Sequence, residues 1–288
     1  MSIEVKIEKD SIGPAGIRLT TFILKYPRFI HSELMTHRAF SRNASSSRAI
    51  PFKKQIEMIK QDTAMPLSFR ANQKGMQAGE ELKDQNKAIK IWERARDAAI
   101  EQAVELDALG AHKQYVNRLI EPYSHITVVL TSSQYSNFFA LRYHSAAQPE
   151  IAELAKQMWE IYEINQPQVL GFGGWHLPFV SDEEYKIYKE TNGNTWKQDL
   201  WLPLIKRSVA RCARVSYNNH DGTSTTQDQD DALYDRLLGA QPIHASPAEH
   251  QARTTGNPNY VSGNFRGWKQ FRKTLTNENI EIFEGPIG

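Results

Sequence analysis

Apolar side chains gather in strand-length runs at two places and recur at helical spacing through much of the rest of the chain. Residues 16–26 and 125–131 are rich in β-branched and aromatic residues, which predicts two strands. Apolar residues three and four positions apart predict helices over 29–42, 76–109, 111–120, 132–144, 149–163, 181–190, 197–213, 229–239 and 264–275. This mixture of elements predicts an α+β protein.

Polar and glycine-rich segments separate these elements. A Ser/Asn-rich loop is predicted at 41–47 and a polar loop at 217–228. Residues 165–200 hold Pro, Gly and Asn turns around one short helix, so we interpret them as an irregular insertion. Within it, Gly171-Phe172-Gly173-Gly174 lacks the later glycine of a dinucleotide-binding fingerprint and is interpreted as a loop or lid.

Composition narrows the class of protein. The 288 residues carry 35 Lys+Arg and 33 Asp+Glu, a net charge of +2, which gives no support to a nucleic-acid partner. No apolar run is long enough for a membrane span and no secretory signal is visible, so we expect a cytoplasmic protein. The lone Cys212 excludes an internal disulfide, and the scattered histidines lack metal-ligand spacing, so no metal is expected.

The densest polar stretch runs from Thr36 to Arg48. It combines three arginines and a histidine with an asparagine and several hydroxyls. Arginine offers a planar fork that binds phosphate in a bidentate manner, and hydroxyls add further donors. The stretch therefore indicates a phosphate-binding site, with a solvated basic surface as the alternative.

The spacing within this stretch resembles the signature of the flavin-dependent thymidylate synthases. That signature has Arg-His-Arg, then seven residues, then Ser, with a further Arg two positions on. Here His37-Arg38, Ser46 and Arg48 stand at the matching positions.

Other blocks resemble the same family in a rotated order. Residues 213–216 (Ala-Arg-Val-Ser) and 244–250 (His-Ala-Ser-Pro-Ala-Glu-His) resemble blocks that open the family's sequence, yet they stand near the C-terminus here. Residues 117–122 and 136–142 resemble later blocks. A circularly permuted member is the simplest account, because permutation is cheap when the termini lie close together. The resemblance covers roughly 12–50, 110–160 and 208–252.

The resemblance implies a thymidylate synthase-complementing type of fold, with an antiparallel sheet and long helices, in a homotetramer. Residues 1–288 would form a single catalytic domain, with an insertion at 165–200 and a C-terminal extension at 253–288. The implied reaction transfers a one-carbon unit from methylenetetrahydrofolate to C5 of a pyrimidine deoxynucleotide, dUMP to dTMP. FAD would be the cofactor, with NADPH and methylenetetrahydrofolate as co-substrates; neither nucleic acid nor membrane is implied as a partner.

Residue roles follow from the same resemblance by position. The implied flavin-binding residues are His37, Arg38, Ser41, Asn43, Asn137, His244 and Ser246. The implied nucleotide-binding residues are Ser46, Arg48, Arg118 and Arg142, and the implied catalytic residues are Arg142, Ser46 and Arg38. A cation beside a reduced flavin or an ionised pyrimidine stabilises developing negative charge.

Several positions depart from the family's pattern. Glu33, Thr36, Ala44 and Ala49 replace its Gln, Arg, Glu and Tyr. Three alternatives stay open: a thymidylate synthase, a hydroxymethylase of dUMP or dCMP, and a catalytically inactive nucleotide-binding relative.

The C-terminal segment offers a compensation for these changes. Arg266, Gln270 and Lys273 would share one face of the predicted helix 264–275 and could return a cation and an amide to the site. The alternative is a surface helix packed through Phe265 and Trp268. Cys212 is expected to be a buried apolar residue, and the flavin route needs no thiolate nucleophile.

Overall fold

A computed structural model describes residues 3–193, 197–217 and 225–279. Its centre is a five-stranded sheet in the order β3-β4-β2-β1-β5. These strands are β1 (Glu4–Ile12), β2 (Arg18–Pro27), β3 (Ser41–Ala44), β4 (His125–Ser132) and β5 (Gln168–Val169). All neighbouring strands run antiparallel except β1 and β5, which pair in parallel.

Helices cover both faces of this sheet. They are α1 (His31–Met35), α2 (Phe52–Gln61), α3 (Gln85–Ala108), α4 (Lys113–Ile120), α5 (Ser136–Arg142), α6 (Pro149–Ile164), α7 (Asp182–Asn192), α8 (Gln198–Tyr217) and α9 (Gln227–Leu238). Short strands complete the fold: β6 (Trp175–His176), β7 (Ala252–Thr254), β8 (Val261–Ser262), β9 (Phe265–Arg266) and β10 (Trp268–Gln270). The α+β class predicted from the sequence is therefore confirmed.

The period-two alternation of β2 divides the core between the two sheet faces. Phe22 and Leu24 pack on one face against the buried side of α6, including Leu154. Leu19 points to the other face, where it joins a cluster built by α8 and the C-terminal strands, including Trp268. The edge strand β3 packs against α8, which places the signature stretch beside a helix from the far end of the chain.

Two helix predictions were too long. The helix predicted over 29–42 ends at Met35, and residues 41–44, predicted as loop, form β3. Residues 41–44 pair with β4, and this pairing satisfies their backbone hydrogen-bonding groups. The stabilisation from the pairing outweighs the helical spacing of apolar residues that predicted a helix as far as residue 42. The helix predicted from residue 76 begins at Gln85, because the Asp84 carboxylate accepts from the N–H of Lys87 over 2.8 Å and caps it there.

The helix predicted over 264–275 is wrong. The segment forms β9, β10 and a 3₁₀ turn. Gly263 and Gly267 have φ values of +57° and +73°, which end a helix and build tight turns instead. Phe265 and Trp268 are both buried, but as strand residues in the core. Arg266, Gln270 and Lys273 consequently do not share a helical face.

The remaining predicted elements are confirmed with shifts of a few residues at their ends. The longest strand that was not predicted is β1, although Val5 and Ile7 alternate with charged residues in it. The segment 165–200 supplies β5, β6 and α7, and the first two join separate sheets. Of the predicted polar loop, residues 218–224 lie outside the described residues. No helix in the described ranges is long and apolar enough to cross a bilayer.

Candidate active site

Strand β3, which carries part of the signature, meets the block 244–250 at the edge of the sheet. We call residues 244–250 the C-terminal block. Asn43, on β3, donates from Nδ2 to the backbone oxygen of Cys212 on α8 over 2.7 Å. Ser246 donates from Oγ to Oδ1 of Asn43 over 3.3 Å, although 203 residues separate the two in sequence. The fold therefore unites the two resembling blocks that the sequence keeps apart.

A cavity of about 390 Å³ opens beside this contact, and we call it the β3 cavity. Five of the predicted site residues line it: Asn43, Ser46, Arg48, His244 and Ser246. Arg48 is exposed and makes no ion pair or hydrogen bond with any residue that the structure describes. An unpaired guanidinium beside hydroxyl and imidazole groups suits the binding of a phosphate.

A second cavity, of about 230 Å³, lies between residues 36–40 and helix α5; we call it the α5 cavity. Four further predicted residues line it: His37, Arg38, Asn137 and Arg142. Arg38 is exposed and, like Arg48, has no partner within the described part of the chain. Arg42 instead donates to the backbone oxygens of Met35 and His37, at 2.9 and 3.2 Å, and so stabilises the turn.

Arg142 connects α5 to the start of the signature stretch. Its Nε donates to Nε2 of His37 over 2.9 Å, and its Nη2 donates to Oγ1 of Thr36 over 3.4 Å. Its Nη1 lies 3.6 Å from Oε2 of Glu33. Thr36 and Glu33 are two of the departures from the family's pattern, and both contact the same guanidinium. These substitutions therefore fix the position of Arg142.

Burial and neighbouring cations shift the pKa values of His37 and Glu33. Burial lowers the pKa of His37, and the charges of Arg142 and Arg42 lower it further. Because Nε2 accepts from Arg142, we assign the ring proton to Nδ1. Burial raises the pKa of Glu33, an effect that Arg142 partly offsets.

Two predicted residues lie away from both cavities. Ser41 is fully buried, and its Oγ accepts from Nε2 of Gln270 over 3.2 Å. Arg118 is exposed on α4, where its Nη1 lies 2.9 Å from Oε2 of Glu121. The implied flavin role of Ser41 and nucleotide role of Arg118 stay predictions.

The C-terminal segment returns an amide to the signature stretch, and neither Arg266 nor Lys273 lines the β3 cavity or the α5 cavity. Besides its bond to Ser41, Gln270 donates to the backbone oxygen of Glu249 over 3.0 Å. Lys273 instead lies 3.0 Å from Glu278. Among the residues that line the β3 cavity, Gln114 was missed. Its spacing of four from Arg118 on a predicted helix was the available signal.

Cys212 is a buried residue of the core, as predicted. It is fully enclosed, and burial raises the pKa of its thiol well above the ordinary value. Such a thiol is a poor nucleophile. The described ranges also hold no group of three His, Cys, Asp or Glu side chains that could bind a metal ion.

Comparison with known proteins places the chain in a family. The family model described as thymidylate synthase complementing protein matches residues 17–168, just over half of the chain. The chain belongs to this family, which confirms the resemblance inferred from the signature. The match ends before the C-terminal block that lines the β3 cavity. No curated protein sequence matches the chain.

Two solved structures are similar over part of the chain. One is a UMP/dUMP methylase, PolB from Streptomyces cacaoi, bound with 5-Br UMP: 17% identical, covering 56% of this chain and 88% of that one, with a TM-score of 0.46. The same protein bound with 5-Br dUMP is 18% identical, covering 56% and 90%, with a TM-score of 0.47.

Proposed function

We propose that the protein transfers a one-carbon unit from methylenetetrahydrofolate to C5 of dUMP, giving dTMP, with FAD as cofactor and NADPH as reductant. Family membership supports pyrimidine nucleotide modification as the class of activity. The observation that carries the proposal furthest is the β3 cavity. It gathers implied nucleotide ligands, Ser46 and Arg48, with the implied flavin ligands Asn43, His244 and Ser246. A transfer between two bound groups requires such proximity.

The chemistry of the donor set fits FAD. Arg38 and Asn137 line the α5 cavity, and His244 and Ser246 line the β3 cavity. Together they offer a guanidinium, an amide, an imidazole and a hydroxyl to phosphate, ribose and ring carbonyl groups. FAD, when bound, supplies the redox chemistry that converts the transferred methylene to a methyl group.

The side chains of this chain would bind and polarise the nucleotide. Arg48, with its unpaired guanidinium, would hold the nucleotide phosphate, and Ser46 would donate a further hydrogen bond. Arg142, fixed by Glu33, Thr36 and His37, would stabilise negative charge as it develops on the pyrimidine ring. No thiolate is needed, which agrees with the burial of Cys212.

The order of the resembling blocks supports a circularly permuted enzyme. The contact between Ser246 and Asn43 is what a permuted chain would need, because it brings the displaced block back to the signature strand. We further propose a homotetramer in the cytoplasm, in which other subunits complete each site. This arrangement would explain why Arg118 is exposed and lines neither cavity here.

Flavin retention tests the proposal. The purified protein should show flavin absorbance, and Arg38→Ala should lose it because an unpaired phosphate ligand is removed. Lys273→Ala, which removes an exposed cation paired with Glu278, should retain the flavin. Full flavin content and turnover in Arg38→Ala would contradict the assignment, and a colourless wild-type protein that does not bind added FAD would contradict the cofactor.

A further inference from the structure

A cavity of about 450 Å³ lies at the opposite edge of the sheet from the signature strand. It is lined by residues 168–174, by α7 and by Trp201. In the strand order, β4, β2 and β1 separate β3 from β5, so the two edges are roughly 19 Å apart at about 4.8 Å per strand. Apart from Gln168, its lining lies outside the family match. The volume is in the range of small-molecule sites.

Its apolar lining combines aliphatic and aromatic side chains. Leu170, Tyr185 and Trp201 are buried in its wall, and the rings of Tyr185 and Trp201 lie 5.0 Å apart between centroids. Phe172 lines the same cavity but is 73% exposed, an unusual position for a phenylalanine. An exposed ring opposite an apolar wall can stack on a planar ligand.

The hydrogen-bond donors of the protein in this cavity favour an anionic ligand. Lys186 and Lys189 stand one turn apart on α7, and Lys189 forms no ion pair with any described residue. The backbone N–H groups of Gly171, Phe172 and Gly173 likewise have no partner in the described ranges. Asp182 also lines the cavity, but its carboxylate is paired with Lys9, whose Nζ lies 2.6 Å from Oδ1. An anionic ligand would therefore meet two lysines and the free N–H groups of the loop.

Residues 171–174 form a loop in the cavity wall, which we call the glycine loop. This loop is held in place by hydrogen bonds within the protein. Its Gly171 oxygen accepts from Oγ1 of Thr254 over 2.8 Å, and its Gly174 oxygen accepts from the N–H of Thr254 over 2.8 Å. The N–H of Leu170 donates to Ile12 over 2.9 Å. A Cβ at Gly174 would lie 3.1 Å from the Gly171 oxygen, so any larger residue there would require the loop to shift by a few tenths of an ångström. A preformed wall reduces the entropic cost of binding.

We propose that this cavity is a second ligand site, separate from the proposed active site, for a planar aromatic ring that carries an anionic group. The ring would stack on Phe172 against the apolar wall. The anion, a phosphate or a carboxylate, would lie between Lys186, Lys189 and the free N–H groups of the glycine loop.

Calorimetric titration of the full chain tests this site with two probes. AMP carries its charge as a phosphate, and p-aminobenzoylglutamate carries it as carboxylates, so the pair distinguishes the two sources of anion. Two variants remove the site: Lys186→Gln with Lys189→Gln, and Gly171→Trp. A Cβ at Gly171 meets no atom within 4 Å, so the bulky side chain fills the cavity without a backbone clash.

Matched controls keep the charge change constant. Lys87→Gln with Lys90→Gln removes two exposed lysines at the same spacing on α3, and Arg48→Ala weakens binding at the β3 cavity. We expect at least one probe to bind, with affinity at least tenfold lower in the double lysine variant and lost in Gly171→Trp, while both controls retain this binding. Absence of binding by both probes, or equal affinity in Gly171→Trp and wild type, would overturn the proposal.

Discussion

Arg142 donates a hydrogen bond from Nε to Nε2 of His37, and the two atoms lie 2.9 Å apart. This contact joins α5 to the signature stretch across 105 positions of sequence. Because a neutral imidazole is needed to accept this bond, the contact and the protonation of His37 depend on each other. The pair defines the electrostatic state of the α5 cavity.

Removal of the Arg142 charge should raise the pKa of His37. In the wild type, NMR titration of the ring should give a midpoint below the ordinary histidine value, because burial, Arg142 and Arg42 all disfavour the cation. Arg142→Gln should move the midpoint upward, whereas Arg94→Gln, a change of an exposed arginine on α3, should leave it unchanged. An unchanged or lower midpoint in Arg142→Gln would show that the guanidinium does not act on this ring.

Arg48→Ala should weaken nucleotide binding without loss of stability. Its guanidinium has no partner among the described residues, so the folded state loses little. Loss of a charge-assisted hydrogen bond costs about 1.5–3 kcal/mol, which lowers dUMP affinity roughly tenfold to a hundredfold. Calorimetry and urea denaturation measure the two effects separately. Wild-type affinity in Arg48→Ala would remove the β3 cavity as the phosphate site.

Gln270→Ala should destabilise the fold. The side chain is 2% exposed and donates to Ser41 and Glu249, so its loss leaves buried acceptors unsatisfied at about 1–3 kcal/mol. The free energy of unfolding in urea gives the value. Lys273→Ala, which disrupts an exposed ion pair with Glu278, should cost less than about 1 kcal/mol. Equal losses in the two variants would contradict the structural role of Gln270.

Acid should destabilise the protein through His250. Burial lowers its pKa to about 3, well below the value of about 6.5 in an unfolded chain. As the pH falls, the unfolded state takes up this proton first. The contribution to stability is therefore complete above about pH 6.5 and is lost between about 6.5 and 3, at up to about 1.4 kcal/mol per pH unit.

His250→Asn isolates this effect. An amide can replace the Nδ1 contact to Oγ1 of Thr131, which is 2.8 Å long, but it does not titrate. The free energy of unfolding of this variant, measured from pH 6 to pH 4, should fall less steeply than that of the wild type. His112→Asn changes an exposed histidine and should keep the wild-type slope. Parallel slopes for His250→Asn and wild type would exclude the mechanism.

The sequence predicted which polar residues lie close together better than it predicted the elements around them. Short motifs such as His37-Arg38 to Arg48 carry their chemistry in local spacing, and nine of the predicted residues line two cavities. Phe265 and Trp268 mimic a helical stripe, and only the positive φ at Gly263 and Gly267 reveals strands. Gln270 reaches Ser41 through that strand geometry, which local periodicity does not encode. Contacts of this kind depend on tertiary packing.

The most direct test of the proposed function is identification of the product. The protein is incubated with FAD, NADPH, methylenetetrahydrofolate and a mixture of dUMP and dCMP, and the nucleotides are analysed by mass. The account predicts dTMP from dUMP, with activity retained in Cys212→Ala because the buried thiol takes no part. A hydroxymethyl product, or modification of dCMP alone, would contradict the proposed reaction while retaining the site. If neither nucleotide is modified, the proposed transfer itself is contradicted.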